Sequence, residues 1–326
     1  MIIDKNPLIS VVICAFSSKR FDMTIDCIHS IFNNTYKNYE ILLVVDGNHE
    51  LKQKMDDKFK DNKNVIVSGN GKNEGPSIAR NKGIYDAKGD IIAFIDDDAF
   101  AEPDWLERIA KDFSEYPEIL VVGGKLLPDY ESGVKKLPEE ILWIVGGTYK
   151  GHPENRQTVR NVFTGNMAVK RDVFNDIMFE VPYNHGKKGF LSPIKQLEDT
   201  VFCIRVNDKK QNSVLYDPEI VAYHYVPKER LSLKYIFDRT FSEGILKAKI
   251  GKIDVKDNDK VLSYEHGYLI MVLVSIIKNF CTLKIRNAFL LSLTVSCVAL
   301  GYICCSLQEK YLNIKRRIIC KTTELA

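Results

Sequence analysis

The sequence predicts an α/β protein built on a mostly parallel sheet flanked by helices. Within the first 70 residues, apolar runs at 8–14, 39–45 and 65–67 alternate with stretches whose apolar residues recur at helical spacing. Alternation of strand, helix and strand over this length favours right-handed parallel crossovers. The 326 residues are enough for one large domain and an appendage. We therefore expect a Rossmann-like half-domain at the start of the chain.

Composition and charge exclude several classes of protein. The chain is 45% hydrophobic and 27% charged, which is ordinary for a globular protein. A formal net charge of +3, with no dense basic block in the first 230 residues, argues against a nucleic-acid partner. The eight cysteines include no Cys-x-x-Cys pair, so we expect reduced thiols in a cytosol-facing protein. We also expect no secretory signal, because no long apolar stretch follows a basic region at the start.

The fourth apolar run, at residues 91–95, ends in three successive carboxylates, Asp96, Asp97 and Asp98. In open α/β sheets, ligands bind beyond the carboxyl ends of the strands. Adjacent aspartates raise one another's pKa unless a cation or hydrogen-bond donors balance them. Their hard oxygens suit Mg²⁺ or Mn²⁺ together with substrate phosphates. We therefore predict a metal site here; the alternative is a solvated acidic turn before a helix with Pro103 in its first turn.

A glycine-rich stretch precedes this acidic strand. Gly69, Gly71 and Gly75 permit close approach of the backbone, and Pro76 predicts a helix start. The free amides of a helix start suit a diphosphate, and Arg80 lies one turn further along with a charge that could reach it. A flexible connector before an ordinary helix is the alternative.

The middle of the chain carries further candidate elements and two ambiguous polar or aromatic residues. We expect elements at 103–113 (helix), 120–122 (strand), 160–169 (strand), 198–206 (helix) and 216–225 (strand). Asn166 either binds a sugar hydroxyl or satisfies its own turn. Trp143, bordered by paired glycines, either lines a pocket or belongs to the core.

A second acidic element is Glu198 and Asp199 at the start of the 198–206 helix. The helix dipole alone explains carboxylates there. A functional carboxylate at this point would instead act as a base on an acceptor hydroxyl. His224, near the end of the 216–225 strand, is either a structural donor or a metal ligand.

The C-terminal part has a different composition. Residues 231–250 are amphipathic, and 287–308 carry no charge and are long enough to span a bilayer. The tail that follows is basic, which favours a cytoplasmic position; its cations are Lys310, Lys315, Arg316, Arg317 and Lys321. A single span would put this tail on the opposite side from a cytoplasmic catalytic part. Either a helical hairpin or an in-plane arrangement removes that conflict.

The ordered motifs of the chain resemble those of family 2 glycosyltransferases with the GT-A fold. The likeness covers about the first 230 residues and is carried by 11–16, 44–48, 75–81, 94–98 and 198–199. A narrower likeness is to archaeal membrane enzymes that extend dolichyl-phosphate-linked glycans for protein N-glycosylation. The residues that carry it are 46–48, 143–146, 160–161 and 226–230.

The resemblance implies three regions of the chain. Residues 1–230 would be the GT-A catalytic domain and 231–260 an amphipathic helical linker. Residues 261–326 would form membrane-associated helices and the basic tail. The enzyme would then lie at the cell membrane with its catalytic domain on the cytoplasmic face.

The resemblance also implies site roles. Ala15 and Asp46 would lie against the uracil of a UDP-sugar, although many members have two aspartates where this chain has only Asp46. Asp199 would be the general base, supported by Glu198. The remaining nucleotide and sugar contacts would come from Arg80, Asp96, Asp97 and Asn166, and the metal ligands would be Asp96, Asp98 and His224.

The implied activity is inverting, Mg²⁺- or Mn²⁺-dependent transfer of a sugar from a UDP-sugar to a polyprenyl- or dolichyl-phosphate-linked sugar. Glucuronate is one candidate donor sugar, and its carboxylate would meet Lys125, Arg160 or Lys170. Three alternatives stay open: a transferase for another cell-surface polysaccharide, a sugar nucleotidyltransferase, and a non-catalytic membrane-bound sugar-nucleotide binder. A nucleotidyltransferase would need a glycine-rich basic loop directly after the first strand, and residues 15–18 do not supply one.

Overall fold

The computed structural model describes residues 6–180, 198–253 and 263–323. Within these residues the centre of the molecule is a nine-stranded sheet in the order β3-β2-β1-β4-β8-β6-β9-β5, with β7 paired to β9. The strands are β1 Ile9–Ala15, β2 Tyr39–Asp46, β3 Val65–Asn70, β4 Ile91–Asp96, β5 Ala99–Ala101, β6 Val121–Tyr130, β7 Gln157–Thr158, β8 Asn166–Lys170 and β9 Val214–Val226. The helices are α1 Phe21–Phe32, α2 His49–Phe59, α3 Pro76–Asp86, α4 Trp105–Glu115, α5 Glu198–Lys209, α6 Leu233–Ile250, α7 Ser263–Cys281 and α8 Ile285–Thr323.

The first four strands in space form a parallel half-sheet. Strands β3, β2, β1 and β4 run in the same direction, with Ile13 of β1 opposite Leu43 of β2 and Ile95 of β4. Apolar side chains of β1, β2 and β4 are buried against helices on both faces, which explains their near-continuous hydrophobic runs. The predicted α/β fold is confirmed. Because the strands are parallel, Ala15, Asp46 and Asp96 emerge at the same edge.

The rest of the sheet is mixed. Strand β8 is antiparallel to β4 and β6, β9 is parallel to β6, and β5 is antiparallel to β9. Strand β5 follows β4 after a turn formed by Asp97 and Asp98, and Ala99 lies opposite His224. This pairing brings a residue from late in the chain beside the aspartate turn.

Three of the differences between predicted and observed boundaries have a clear structural reason. Helix α4 begins at Trp105, so Pro103 precedes the helix, and its carbonyl accepts a hydrogen bond from the amide of Thr35. Strand β6 continues far beyond residue 122 because it pairs along most of β9. Strand β8 begins only at Asn166, since residues 160–165 form a loop and a turn, most of which borders a cavity.

The C-terminal helices pack on the 3₁₀ segment Glu139–Val145 and on one another. Helices α7 and α8 are joined by residues 282–284 and contact each other. One stretch of the described residues, Ile285–Gln308, is a helix long and apolar enough to cross a membrane. The proposed boundaries at 230 and 260 stay a prediction, and residues 254–262 lie outside the described part.

Helices α6 and α8 approach through two glycines. A Cβ atom on Gly244 would lie 2.0 Å from the carbonyl oxygen of Val298, and one on Gly301 would lie 2.1 Å from that of Phe241. Real side chains cannot approach backbone atoms so closely, so these positions require glycine at the observed helix separation.

We expect Gly244→Val to separate α6 from α8 and to lower the melting temperature of the detergent-solubilised protein by several degrees, because overpacking costs about 1–3 kcal/mol or more. The matched control is Gly267→Ala on α7, where an added Cβ meets nothing within 4 Å. This change should be neutral or slightly stabilising, since alanine is the better helix former. Equal melting temperatures for both variants would contradict the tight contact.

Candidate active site

The aspartate turn and His224 form a cluster of possible metal ligands. One ligand atom each from Asp96, Asp98 and His224 lie within 4.8 Å of one another. Asp96 ends β4, Asp98 belongs to the turn, and His224 reaches the turn from β9. Two carboxylates and an imidazole are a donor set that suits Mn²⁺ and also accommodates Mg²⁺. The residues therefore fit a divalent metal, as the sequence predicted.

The imidazole of His224 is oriented by its backbone partner. Its Nδ1 lies 3.1 Å from the carbonyl oxygen of Val145, which can only accept, so Nδ1 carries a proton and donates. Nε2 faces the aspartate turn, 3.2 Å from Arg230 Nη1 and 3.2 Å from Asp98 Oδ1. Gly146, with φ +81°, leaves room for the ring, because a Cβ there would lie 3.2 Å from it. Nε2 is thus the nitrogen available to a metal.

Two arginines and His224 surround the buried carboxylate of Asp98. Arg20 Nη2 lies 3.0 Å and Arg230 Nη2 3.4 Å from Asp98 Oδ2, and His224 Nε2 lies 3.2 Å from Oδ1. Burial acts to raise the pKa of Asp98, but hydrogen bonding and charge from His224, Arg20 and Arg230 lower it to about 2. Asp98 is therefore an anion at neutral pH.

The surroundings of the neighbouring Asp97 shift its pKa in the opposite direction. Its Oδ1 accepts from Arg20 Nη1 at 2.7 Å, while Oδ2 is buried with no hydrogen-bond partner among the described residues. Burial raises the pKa of Asp97 to about 7, with Asp98 and Asp96 adding to the rise and Arg20 opposing it. Asp97 borders the cavity, and its role as a nucleotide contact stays a prediction.

Arg80 connects the two acidic elements. Its Nη1 lies 2.5 Å from Glu198 Oε1, its Nη2 lies 3.5 Å from Asp96 Oδ1, and Ser77 Oγ donates to the other Glu198 oxygen at 2.6 Å. Arg80, Asp96 and Glu198 border the same cavity. The first turn of α5 and the end of β4 are therefore within the reach of one guanidinium. The structure also gives Arg80 a carboxylate partner, where the sequence had suggested a diphosphate.

Asp199 follows Glu198 at the start of α5 and lines the cavity. Its Oδ1 accepts from the amide of Thr200 at 2.7 Å. Burial and the charge of Glu198 raise the pKa of Asp199 to about 6, although Thr200, Arg80 and Arg239 act to lower it. A carboxylate with this pKa is ionised at pH 7 and is more basic than an exposed aspartate.

Asp46 organises the loop before α3. Its Oδ1 accepts from the amide of Glu74 at 3.0 Å and from Asn70 Nδ2 at 3.2 Å, and its Oδ2 accepts from the amide of Gly75 at 2.8 Å. The amide of Gly75 is therefore not free for a phosphate. Asp46 and Ala15 both border the cavity, as a nucleotide-contact role requires.

The structure corrects one of the predicted site residues. Asn166 is fully buried; its Oδ1 accepts from Trp105 Nε1 at 2.7 Å, and its Nδ2 donates to the carbonyls of Lys125 and Ile220. These contacts join β8 to α4, β6 and β9 and leave no amide atom for a ligand, so a role in binding a sugar is wrong. Trp143 is both core and cavity wall, because it is buried and its Nε1 donates to Tyr268.

Three residues were predicted to meet the carboxylate of a donor glucuronate, and two of them do not border the cavity. Lys170 donates to the carbonyl of Pro117 and lies over the ring of Phe113. Lys125 lies on β6 and does not border the cavity. Arg160 does border the cavity, where it pairs with Glu265.

One cavity of about 1420 Å³ is bordered by Asp46, Arg80, the aspartate turn, Glu198, Asp199 and His224. The parallel half-sheet supplies one wall, the aspartate turn and α5 supply the centre, and α6, α7 and α8 supply the far wall. A space of this size exceeds that of one drug-sized ligand and can hold two substrates.

Sequence reasoning missed the arginines around Asp98. Arg20 lies in the 3₁₀ turn Ser18–Arg20 before α1, and Arg230 in the 3₁₀ turn Lys228–Leu231 after β9. Each arginine follows a strand, β1 or β9, that ends at the carboxyl edge of the sheet, and this was the one feature of the sequence that could have indicated a role. Arginines are common in loops after strands, so this feature alone does not identify Arg20 and Arg230 as site residues.

Comparison with known proteins identifies relatives of known class. Residues 10–178 match the model described as glycosyl transferase family 2. Glucosyl-dolichyl phosphate glucuronosyltransferase of Haloferax volcanii is 29% identical over 300 residues, which cover 90% of this chain and 95% of the relative.

Among solved structures, S. aureus TarS 1-349 aligns with a TM-score of 0.53 and 15% identity over 78% of this chain and 69% of that one. A longer S. aureus TarS structure aligns with a TM-score of 0.52 and 16% identity over 78% of this chain and 42% of that one. At these identities the likeness shows the fold.

Proposed function

This chain belongs to glycosyl transferase family 2, and from that premise we propose that it transfers a sugar from a UDP-sugar to a polyprenyl-phosphate-linked sugar, with inversion. The observation that carries the proposal is the bridge made by Arg80 between Glu198 and Asp96. This bridge holds Asp199, the candidate base that follows Glu198, at the same cavity as the candidate metal ligands Asp96 and Asp98. An inverting transferase needs both groups on opposite sides of one anomeric carbon.

The donor end of the cavity is proposed to lie at the carboxyl edge of the parallel half-sheet. Ala15 and Asp46 border it there, and the amides held by Asp46 keep the adjacent loop in place. Ligands of open α/β sheets bind at this edge. We propose that the uracil contacts Ala15 and Asp46 and that the diphosphate points toward the aspartate turn.

The proposed metal ligands are Asp96, Asp98 and His224. When bound, a divalent cation would neutralise charge on the diphosphate leaving group as a Lewis acid. Arg20 and Arg230 pair with the negative charge of the Asp98 carboxylate. If a bound cation neutralised that charge instead, both guanidiniums would be able to donate to phosphate oxygens.

Asp199 is proposed to accept the proton of the acceptor hydroxyl as that oxygen attacks the anomeric carbon. The C–O bond to the diphosphate breaks as the new glycosidic bond forms on the opposite face, so configuration inverts. The raised pKa of Asp199, about 6, suits a base that must be ionised at neutral pH. Glu198, paired with Arg80 and Ser77, holds this end of α5 in place.

The acceptor class rests on the relative and on the C-terminal helices. The Haloferax volcanii relative is named for glucuronate transfer to glucosyl-dolichyl phosphate. Helix α7 exposes Ile270, Val274 and Ile277, and α8 contains the candidate span. A lipid-linked acceptor remains in the bilayer, so an apolar helical surface beside the active site is expected. We propose glucuronate as the donor sugar, glycan assembly for protein N-glycosylation as the role, and the cytoplasmic face of the membrane as the location.

The experiment that tests this function is a panel of radiolabelled UDP-glucuronate, UDP-glucose, UDP-galactose, GDP-mannose and dTDP-glucose with glucosyl-phosphoryl-dolichol, with EDTA, Mg²⁺ or Mn²⁺. We expect metal-dependent transfer of glucuronate, and NMR of the product should show inversion. Preference for GDP- or dTDP-sugars would refute the uracil assignment. Donor binding without transfer to any lipid acceptor would favour the non-catalytic binder.

The pH dependence of kcat/KM should report Asp199. An acid whose pKa is about 6 in the folded enzyme is protonated below that pH and cannot act as a base. We therefore expect the rate to fall about tenfold per pH unit below an apparent pKa near 6.

Glu198→Gln should move this limb to lower pH, because it removes a charge that raises the pKa of Asp199 and releases Arg80, which lowers it. The control is Asp176→Asn, a surface change that should leave the profile in place. An unshifted limb in Glu198→Gln would show that another group controls the rate.

A further inference from the structure

Helix α8 packs against the rest of the protein along the whole of its apolar stretch, Ile285–Gln308. Buried residues recur every three or four positions through this stretch, so they form one continuous face of the helix. They are Ala288, Leu291, Thr294, Cys297, Gly301 and Cys305. Because this face stays on the protein throughout, α8 does not project away from the catalytic part.

The partner of this face near the middle of the apolar stretch is α6, a helix that carries charge. A Cβ atom on Gly244 of α6 would lie 2.0 Å from the carbonyl oxygen of Val298. In the same part of α6, Arg239, Glu243 and Lys247 form ion pairs and border the active-site cavity. If α8 crossed a bilayer, these three charges would lie at the depth of the hydrocarbon core, where charged groups are costly. The packing of α6 on α8 therefore argues against a span.

The outward faces of α7 and α8 are apolar. On α7 the exposed apolar side chains recur at helical spacing, and Ile270 and Ile277 are each 64% exposed. The exposed set is Ile270, Leu273, Val274, Ile277 and Phe280 on α7 and Phe289, Leu300 and Leu307 on α8. We call these eight residues the apolar stripes. The residues that border the cavity do not include them, so they face the outside of the protein. Large exposed apolar surfaces mark contacts with membranes or proteins.

Five cations surround the turn between α7 and α8. Lys278 lies near the end of α7, and Lys284 and Arg286 lie at the start of α8. The Nη1 and Nη2 atoms of Arg286 donate to the carbonyls of Lys136 and Lys135 at 3.0 and 3.2 Å, which brings two more lysines to the turn. All five side chains are exposed, and none lies within ion-pair distance of an acidic residue that the structure describes. We call these five residues the basic turn.

The positive charge of the basic turn is not balanced by the segments that form it. Residues 132–138 and 276–289 contain no acidic residue, and Glu139 is the one carboxylate that directly adjoins them. Exposed apolar side chains, among them Leu283 and Ile285, lie between the cations along the chain. Cations interleaved with exposed apolar residues are typical of a surface that binds anionic lipid headgroups.

We propose that α8 does not cross the membrane and that α7, α8 and the basic turn bind the surface of an anionic bilayer, with the apolar stripes in the interface. Binding of this kind goes beyond the proposed activity, because it is independent of which sugar is transferred. Helices with one apolar face lie in the plane of the membrane at the acyl boundary. The active-site cavity, bordered by Val272 of α7 and Val295 of α8, would then lie at the level of the lipid headgroups. The basic tail would lie on the same side of the membrane as the catalytic part.

The side of the membrane on which the chain ends is a direct test. Full-length protein with a protease site and an epitope tag after Ala326 is synthesised cell-free with preformed vesicles of phosphatidylcholine and phosphatidylglycerol. We expect the protease, added outside, to remove the tag from intact vesicles as completely as after detergent lysis. Removal of the tag only after lysis would show that α8 crosses the bilayer and would overturn the proposal.

Lys278→Gln together with Lys284→Gln should weaken partitioning into these vesicles about 30-fold, the effect of removing two cations near an anionic surface. Flotation in a sucrose gradient measures the partitioning, and the change should be small for vesicles of phosphatidylcholine alone. The control is Lys54→Gln together with Lys58→Gln, two exposed lysines of α2, which packs on β2 and β3. Equal partitioning of the wild-type protein into the two kinds of vesicle would exclude anionic headgroups as the partner.

Ile270→Gln together with Ile277→Gln should lower partitioning into vesicles of either composition at least tenfold, because α7 loses apolar area that would enter the interface. Both side chains are largely exposed, so the melting temperature in detergent should change little. Tyr85→Gln, at an exposed position of α3, is the control for a polar substitution elsewhere on the surface. Wild-type partitioning of the folded double variant would overturn the role of α7.

Vesicle binding and sugar transfer can fail separately. A protein that partitions into vesicles with its tail outside, but transfers no sugar to any lipid acceptor, would refute the proposed function and leave this surface standing. Transfer to glucosyl-phosphoryl-dolichol in detergent without any vesicle binding would refute the surface and leave the function standing. Dimers crosslinked through α7 and α8 in place of vesicle binding would also overturn the proposal, because a second copy would then cover the apolar stripes.

Discussion

Asp199→Asn is expected to lower kcat for sugar transfer by about 10²- to 10⁴-fold, the range that a positioned general base supplies. Asparagine can still accept the amide hydrogen of Thr200, which bonds to Asp199 Oδ1 in the wild type. The helix start should therefore persist, and affinity for the UDP-sugar should stay close to that of wild type. The loss then falls on the step in which the acceptor hydroxyl gives up its proton.

The measurements for Asp199→Asn are turnover of radiolabelled UDP-sugar onto the lipid acceptor and calorimetric binding of UDP. Asp176→Asn, a surface carboxylate paired with Lys209, is the matched control and should retain full activity. A folded Asp199→Asn enzyme with wild-type turnover would remove Asp199 from the mechanism. A parallel loss of UDP binding would instead indicate damage to the donor site.

Asp98→Asn is expected to abolish metal-dependent transfer, with a loss of about 10³-fold or more, which corresponds to about 4 kcal/mol of transition-state stabilisation. The carboxylate of Asp98 is buried and faces His224, Arg20 and Arg230. Removing its charge leaves those two guanidiniums without their shared anion and takes one oxygen ligand from the candidate metal group. Affinity for Mn²⁺ should fall together with activity.

Two measurements separate the roles of Asp98. Electron paramagnetic resonance of Mn²⁺ titrations reports the metal, and thermal unfolding reports the loss of the ion pairs. Asp104→Asn, at a partly exposed carboxylate paired with Arg108, is the control for the same chemical change at the surface. Wild-type Mn²⁺ affinity in Asp98→Asn, with activity lost, would show that Asp98 orients the arginines and does not bind metal.

Much of the fold was predictable because the signals are local. The apolar runs of β1, β2 and β4 are buried on both faces, and such strands need continuous hydrophobic sequence wherever they occur. Parallel strands end at a common edge, so Asp46 and Asp96 could be placed together without coordinates. Strand β6 was underestimated since its pairing with β9, which lies about 90 residues later, decides its length.

The candidate site was only partly predictable, because side-chain partners are tertiary facts. Asn166 has the sequence context of a ligand-binding turn, yet its amide is used by Trp105, Lys125 and Ile220 from three other segments. Arg20 and Arg230 flank strands that end near Asp98, but over 200 residues separate them along the chain. The spacing of these residues along the sequence therefore does not predict that both arginines contact Asp98.

The chemistry at the sheet edge is readable from short segments of the chain: three carboxylates after β4, a basic residue in α3 and an acidic start to α5. The apolar C-terminal stretch is readable in the same way. These follow from periodicity and residue type, which are properties of short segments. Which of these charges meet depends on the three-dimensional fold. The energy of an ion pair depends on the distance and burial of both partners, and the chain path around β9 and α6 to α8 sets both.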